Sequence, residues 1–276
     1  MISTLKLPAA ALLACLAVSL PAAATTYSTD YTDLWYIPSE SGWGVNVIQQ
    51  NETLFATLFV YGADTAPNWF VASNVAPATA GNQTTFTGTL YKTTGPFFGA
   101  TQFDPDSVRV TVVGSITFTF TSATTATVQY VVNGTLVTKN VVRQTWRVNQ
   151  LGGNYLGGLT AVGSGCSGGV SNGNVLIFGT LAVTDTGGQA SNKQVSMNVQ
   201  FTSAGNQSSQ CTFAGPYNQA GKLGTIAGSW NCTTSNAGTF TISSIEANVN
   251  GFTGHFHGTD QFCTYDGQFG GVRDVL

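Results

Sequence analysis

The sequence predicts an all-β chain: two small antiparallel β-barrels, or sandwiches, in tandem behind a signal peptide. Three observations carry that expectation. Apolar residues recur with period two along most of the chain, turn residues punctuate it at short intervals, and no stretch of helix length repeats at 3.6. Val108, Val110, Val112, Ile116, Phe118 and Phe120 share one parity, while Thr111, Ser115, Thr117, Thr119 and Thr121 take the other. Successive side chains of an extended chain point to opposite faces, so this pattern hides one face and wets the other. Val195, Met197, Val199 and Phe201 repeat it against Ser196, Asn198 and Gln200.

Taken in order, the chain opens with Lys6 before an apolar run from Leu7 to Leu20 and the small residues Pro21-Ala22-Ala23-Ala24. This is the pattern of a secretory leader over 1–24, too short for a membrane span. Cys15 inside that run is read as part of the leader's apolar core. A first β domain is expected over 25–148, with strands at Gly42–Gln49, Thr53–Tyr61, Asn68–Ser73, Thr84–Lys92, Ser107–Val113, Ser115–Thr121, Thr125–Val132 and Thr135–Trp146. Gly114-Ser115 marks a bulge or tight turn between two of them. Asn133-Gly134 is a type I′ hairpin signal, because that turn needs positive φ at both positions. The texture changes near Asn149, and a second domain is expected over 149–276. Its strands read Asn154–Val162, Val175–Thr184, Lys193–Thr202, Ser209–Tyr217, Gly224–Cys232, Gly238–Ile245, Gly251–His257 and Phe262–Val272. Closure into barrels would remove exposed strand edges, and two-sheet sandwiches are the competing arrangement.

Composition narrows the function. Only 8% of residues are charged, and loss of Lys6 with the leader leaves eight basic against 12 acidic residues. Such a chain lacks the basic surface of a nucleic-acid binder and the polybasic cluster of an anionic-membrane binder. The 33 Gly and 17 Phe, among abundant Thr and Val, make a strand-and-turn composition. The expected location is secreted or periplasmic, with no membrane-spanning segment in the mature chain.

Cys166, Cys211, Cys232 and Cys263 form an even set in an exported chain, which predicts two disulfides. Cys211 and Cys232 flank a turn centred at Gly221-Lys222 and face each other across a hairpin. Cys166 follows the second domain's first strand and Cys263 lies in its last, so that bridge would fasten the seam of a barrel. Without a Cys-x-x-Cys spacing, a cysteine-liganded metal is disfavoured.

His255 and His257, two apart on a strand, share a face and could hold one ion with Asp260 or Asp266; with Phe256 inward they would instead be solvent-facing surface. Gly163-Ser164-Gly165-Cys166-Ser167-Gly168-Gly169 resembles a nucleophile loop but lacks the helix such an elbow needs, so it reads as a glycine-rich turn beside a disulfide. Among Asp33, Glu40, Asp64, Asp104 and Asp106, Glu40 is the candidate acid, with capping of backbone amides at a strand entrance as its structural role. Trp43 alternates with Val45 and Val47 and reads as core. In residues 54–61 one parity is aliphatic (Leu54, Leu58, Val60) and the other aromatic (Phe55, Phe59, Tyr61), so the strand is covered on both sides or one face lines a cavity. With Glu40, Trp43 and Trp69, these aromatic residues are the candidate binding set for a small apolar molecule or a glycan.

The runs Asp33-Leu34-Trp35-Tyr36, Glu40-Ser41-Gly42-Trp43-Gly44, Leu54 to Tyr61 and Gly88 to Pro96 resemble a module found in uncharacterised exported bacterial proteins. The likeness covers about residues 31 to 146, its Glu-Ser-Gly-Trp-Gly core is the specific part, and it implies export and a β module. Other copies of the module carry a second Trp where this chain has Tyr36. The barrels are similar to lipocalin and avidin folds by analogy of architecture only. The expected function is a secreted, non-catalytic binding protein for a small apolar molecule, a glycan or a protein partner, with no cofactor. A secreted hydrolase using Glu40 or a His255/His257 metal is the alternative, and an outer-membrane barrel a third.

Overall fold

A computed structural model describes residues 29–78, 84–187, 192–203 and 207–274; the leader expected over 1–24 lies outside them. The described chain forms two closed antiparallel barrels of eight strands each, so the sandwich alternative falls away. The first contains β1 (Asp33–Tyr36), β2 (Gly44–Gln50), β3 (Thr53–Tyr61), β4 (Pro67–Ala78), β5 (Thr84–Thr94), β6 (Arg109–Phe120), β7 (Thr125–Val132) and β8 (Thr135–Arg143). Each strand pairs with the next, and β1 pairs with β8 to close the ring. The second repeats this with β9 (Gly153–Ser164), β10 (Gly173–Thr186), β11 (Asn192–Ser203), β12 (Gln207–Ala220), β13 (Leu223–Cys232), β14 (Ala237–Asn248), β15 (Gly251–Asp260) and β16 (Thr264–Arg273). Here β16 closes on β9.

The period-two pattern builds both cores. Val45, Val47, Leu54, Ala56 and Leu58 point into the first barrel with Ile116, Phe118 and Phe120. Val195, Met197, Val199, Phe213, Ile226 and Phe256 point into the second. Asn133 and Gly134 both have positive φ, 49° and 83°, as a type I′ turn demands.

Two strand assignments need correcting. The two strands expected at 107–113 and 115–121 are one strand, β6 (Arg109–Phe120), because Gly114 absorbs a register shift opposite Leu90/Tyr91 without ending the ladder. A Cβ at Gly114 would stand 1.9 Å from the Val131 carbonyl oxygen, so only glycine fits there. The eighth strand is instead β1, whose four residues are too few to show a period.

One end of each barrel is sealed in the same way. Trp35 on β1 lies directly opposite Arg143 on β8. The guanidinium sits 5.0 Å from the indole centroid, and Trp35 Nε1 donates to the Tyr31 carbonyl at 3.1 Å. In the second barrel Tyr155 on β9 lies opposite Arg273 on β16. That guanidinium is also 5.0 Å from the ring, and Tyr155 Oη donates to the Leu151 carbonyl at 2.6 Å. Both aromatic residues bond to the carbonyl four positions back, folding the entering segment across the barrel end.

The sealed ends meet. The β12–β13 turn sits on the first barrel, with Lys222 N donating to Asp33 Oδ2 at 2.9 Å and Gly221 N to Thr145 Oγ1 at 2.9 Å. Lys222 Nζ bridges Asp30 and Glu246. Gly221 (φ 60°) passes so close that a Cβ would lie 2.1 Å from Asp33 Oδ2. Val148 and Leu151, between β8 and β9, are buried in the second core.

Candidate functional site

Sealing one end leaves the other as a mouth. In the second barrel this is the end where the β9–β10, β11–β12, β13–β14 and β15–β16 connections lie. Its wall follows from the inward parity of β12 and β13: Cys211 faces Cys232 and Phe213 faces Trp230 across the ladder. The disulfide thus forms one rung of the wall and the ring pair the next. Phe213 and Trp230 stack at 6.1 Å between centroids, and Tyr265 meets Trp230 edge-on at 6.3 Å. With Leu159, Val175, Ile177, Phe201 and Phe256 they line a pocket of about 210 Å³, whose lining also includes the polar residues Thr234 and Asn236.

The rim of this mouth is fastened. The predicted Cys166–Cys263 bridge ties the β9–β10 loop to the β15–β16 turn. Asp260 holds that turn: its Oδ1 accepts from the Phe262 and Cys263 amides at 2.8 and 2.7 Å, and its Oδ2 from Tyr265 Oη at 2.8 Å. Burial raises the Asp260 pKa, but these bonds outweigh it and hold the carboxyl below its ordinary value. Tyr265, half-buried and bonded to that carboxylate, is pushed up to about 12. Gly163 to Gly169 is the expected turn: Cys166 is bridged, and Gly165, Gly168 and Gly169 take positive φ. Trp230 Nε1 is buried and finds no hydrogen-bond partner among the described residues. It faces Gly238, where a Cβ would stand 2.8 Å away.

The first barrel's mouth is larger, about 400 Å³, and mixed in character. Val60, Tyr61, Phe70, Tyr130, Val132 and Val137 share it with Asn68, Asn133 and Lys92. Glu40, at this end, does not cap backbone amides. Both its oxygens accept from Lys139 Nζ, at 3.0 and 2.7 Å, and Oε2 also accepts from Trp43 Nε1 at 2.9 Å. A helical-type amide cap needs free N–H groups, and here a side-chain cation and an indole reach the carboxylate instead. Trp43 is half-buried against the core edge, with Lys139 Nζ 5.6 Å from its ring. The Lys139 and Trp43 bonds hold Glu40 below its ordinary pKa. A carboxyl kept ionised in this way is a poor general acid. Asp33 is paired with Arg143 at the sealed end, and Asp64 and Asp104 bond turn amides.

The aromatic parity of β3 lines no barrel interior. Phe55, Phe59 and Tyr61 are 40%, 39% and 59% exposed on the outer wall, and Trp69 beside Phe59 is 52% exposed. The aliphatic parity filled the core, and closure of the sheet turned the other parity outward. Of the four, Tyr61 reaches a mouth.

His255 and His257 are exposed while Phe256 is buried, so the strand presents both imidazoles outward. His257 Nδ1 lies 2.7 Å from Asp266 Oδ1, and no third His, Cys, Asp or Glu joins a group among the described residues. The sequence brings two of the three ligands together.

Phe201, Phe213, Trp230 and Tyr265 escape a reading by period alone, because inward aromatic residues look like any core. The signal available was Trp230-Asn231-Cys232, which puts a tryptophan on the same face as a bridged cysteine near a strand end. No protein-family model matches the chain, and no curated protein or solved structure matches it.

Proposed function

We propose that this chain is an exported, non-catalytic binding protein that holds a small, largely apolar molecule in the mouth of the second barrel. The observation that carries the reading is the apolar pocket of about 210 Å³ between the Cys211–Cys232 bridge, Trp230, Phe213 and Ile177. An apolar cavity of ~150 Å³ takes up benzene, whereas pockets for drug-sized ligands start near ~300 Å³. The pocket therefore suits a single substituted ring or a short branched chain. Polar groups among its lining residues would orient one hydroxyl or carbonyl of the guest. Export is supported by the apolar leader and by two disulfides, which persist in oxidising compartments. A membrane-spanning barrel turns its apolar parity to lipid, the reverse of the apolar interiors of these two.

The test is calorimetric titration with p-cresol, indole and toluene, alongside mass analysis of an organic extract of the native secreted protein. A ligand of about eight heavy atoms is expected to bind with a Kd between ~1 μM and ~1 mM. Ile177→Trp, which fills the pocket, should weaken binding at least tenfold. No binding by any of the three probes, with nothing in the extract, would refute the reading.

A further inference from the structure

The outer wall of the first barrel carries a second feature, independent of the mouth. Outward residues of neighbouring strands align in rows. Ile48 faces Phe55; Phe59 faces Trp69; Thr57, Val71, Tyr91 and Val112 follow one another across β3 to β6. Val110 stands opposite Thr93. Residues 109–112 are exposed on both parities, so the β5–β6 hairpin runs past the barrel and extends the face beyond its wall. Phe97, Phe98 and Phe103 on the connecting loop are exposed as well.

The strands β2, β3 and β4 contain no Asp, Glu, Lys or Arg. At ~200 Å² for a fully exposed aromatic side chain, the accessible parts of Phe55, Phe59, Tyr61 and Trp69 come to about 400 Å². Ile48, Val110 and Val112 bring the patch to roughly 650 Å². The largest apolar patch on a typical monomer is ~300–600 Å², and a standard interface buries ~800 Å² per partner. The patch alone exceeds the size of a typical monomer's largest apolar patch and approaches one partner's share of a standard interface.

We propose that this face is a two-fold interface between two copies of the chain. An isologous contact sets each residue of the patch against the same patch. A charged face would meet its own charge there; β2–β4 at the centre of this face bring none, and the charges nearest it, Lys92 and Arg109, lie on the β5–β6 side. Depletion of charge at the centre, with aromatic residues enriched, is the composition of an interface core. A lipid surface would call for a cluster of Lys or Arg around the aromatic residues; β2–β4 supply none, and Lys92 and Arg109 on β5–β6 bond to Asn68 and to the Asp106 and Val108 carbonyls.

The experiment is sedimentation equilibrium of the full secreted chain from 1 to 100 μM, for the wild type, Phe59→Glu and Phe59→Lys. The wild type is expected to dimerise. Each variant alone should be at least 100-fold weaker, and an equimolar mixture of the two should recover association, because opposite charges then face each other. Near-UV circular dichroism unchanged from wild type shows that the variants are folded. A wild type that is monomeric at 100 μM overturns the proposal. So does dimerisation that neither variant weakens, or two weakened variants that do not rescue each other. Binding of the monomer to neutral polysaccharide or phosphatidylcholine vesicles, lost with Phe59→Glu while no dimer forms, reassigns the face to that occupant and also overturns it.

Discussion

Lys193 and Asp185 form a salt bridge at the sealed end of the second barrel, with side chains 0% and 5% exposed. Lys193 Nζ donates to Asp185 Oδ2 and to the Asn149 carbonyl, and lies 5.4 Å from the Tyr217 ring. Asp185 Oδ2 also accepts from the Leu151 amide at 3.1 Å, while Oδ1 is buried with no hydrogen-bond partner among the described residues. Lys193→Met keeps most of the side-chain stem but leaves a buried carboxylate with one amide for company. Removing one member of a buried pair costs about 3–5 kcal/mol, most of it the desolvation of the survivor. Lys193→Met takes the donor from the Asn149 carbonyl in either variant; adding Asp185→Leu removes the buried carboxylate and strands the Leu151 amide, a loss of about 1–3 kcal/mol before any gain from apolar packing. The double variant should therefore be more stable than the single one. Hydrogen exchange read by mass spectrometry separates the barrels through their own peptides, so β9–β16 report the loss and β1–β8 serve as an internal control. A single variant within ~1 kcal/mol of wild type, or a double variant no better than the single, would refute the account of this pair.

Two further predictions follow from the titrating groups. Tyr217 is buried and its pKa is pushed up to about 12, chiefly by burial, while Asn149 donates to its oxygen. A phenol with a raised folded pKa stabilises fully below pH ~10 and loses that contribution as pH climbs toward ~12, at most about 2.7 kcal/mol. Tyr217→Phe should flatten the fall in second-barrel stability across this window; equal slopes in the two proteins would count against it. Glu40 is expected to titrate below its ordinary value, and Lys139→Met should return its midpoint upward. Carbon-detected NMR of the side-chain carboxyl gives the direct readout, and an unmoved midpoint would mean that Lys139 is not its partner in solution.

Much of the fold was legible because strand patterning is local. The alternation in residues 195–201 and the Asn133-Gly134 turn each depend on a few adjacent residues, and both stand in the structure as expected. The disulfides were legible for a different reason: hairpin symmetry about residues 221–222 sets Cys211 opposite Cys232, and ring closure sets the first and last strands side by side. The side to which a doubly apolar strand turns its aromatic parity was not legible. Leu54 to Tyr61 has two apolar faces, and only closure of the sheet decides that Leu54, Ala56 and Leu58 go in and Phe55 and Phe59 go out. The Glu40–Lys139 pair spans 99 residues and needs the β1–β2 loop to meet β8 in space, which no local pattern encodes. The mouth pocket was hidden likewise, since an inward Trp230 reads as filler until the barrel's taper leaves space beside it.

The two sealed ends explain where function has room to differ. Trp35 opposite Arg143 and Tyr155 opposite Arg273 are the same arrangement at the same register, one in each barrel. Their sequence offsets are unequal: 155 − 35 is 120 and 273 − 143 is 130. The second barrel therefore has ten more residues between these two positions, and Tyr stands where the first has Trp, so the sequence shows no identity at a fixed offset. The shared geometry belongs to the end where the barrels meet, through Lys222, Asp33 and Gly221. A seal of this kind tolerates little change, because each ring must lie under a guanidinium and each chain must cross back to a particular carbonyl. The opposite ends carry no such constraint, and there the barrels differ: one mouth is mixed, with Lys92 and Asn68 among apolar residues, the other apolar and braced by two disulfides. The mouth that the chain reinforces with cross-links is the one whose shape binding would depend on, since a fixed rim lowers the ordering cost of taking up a small guest.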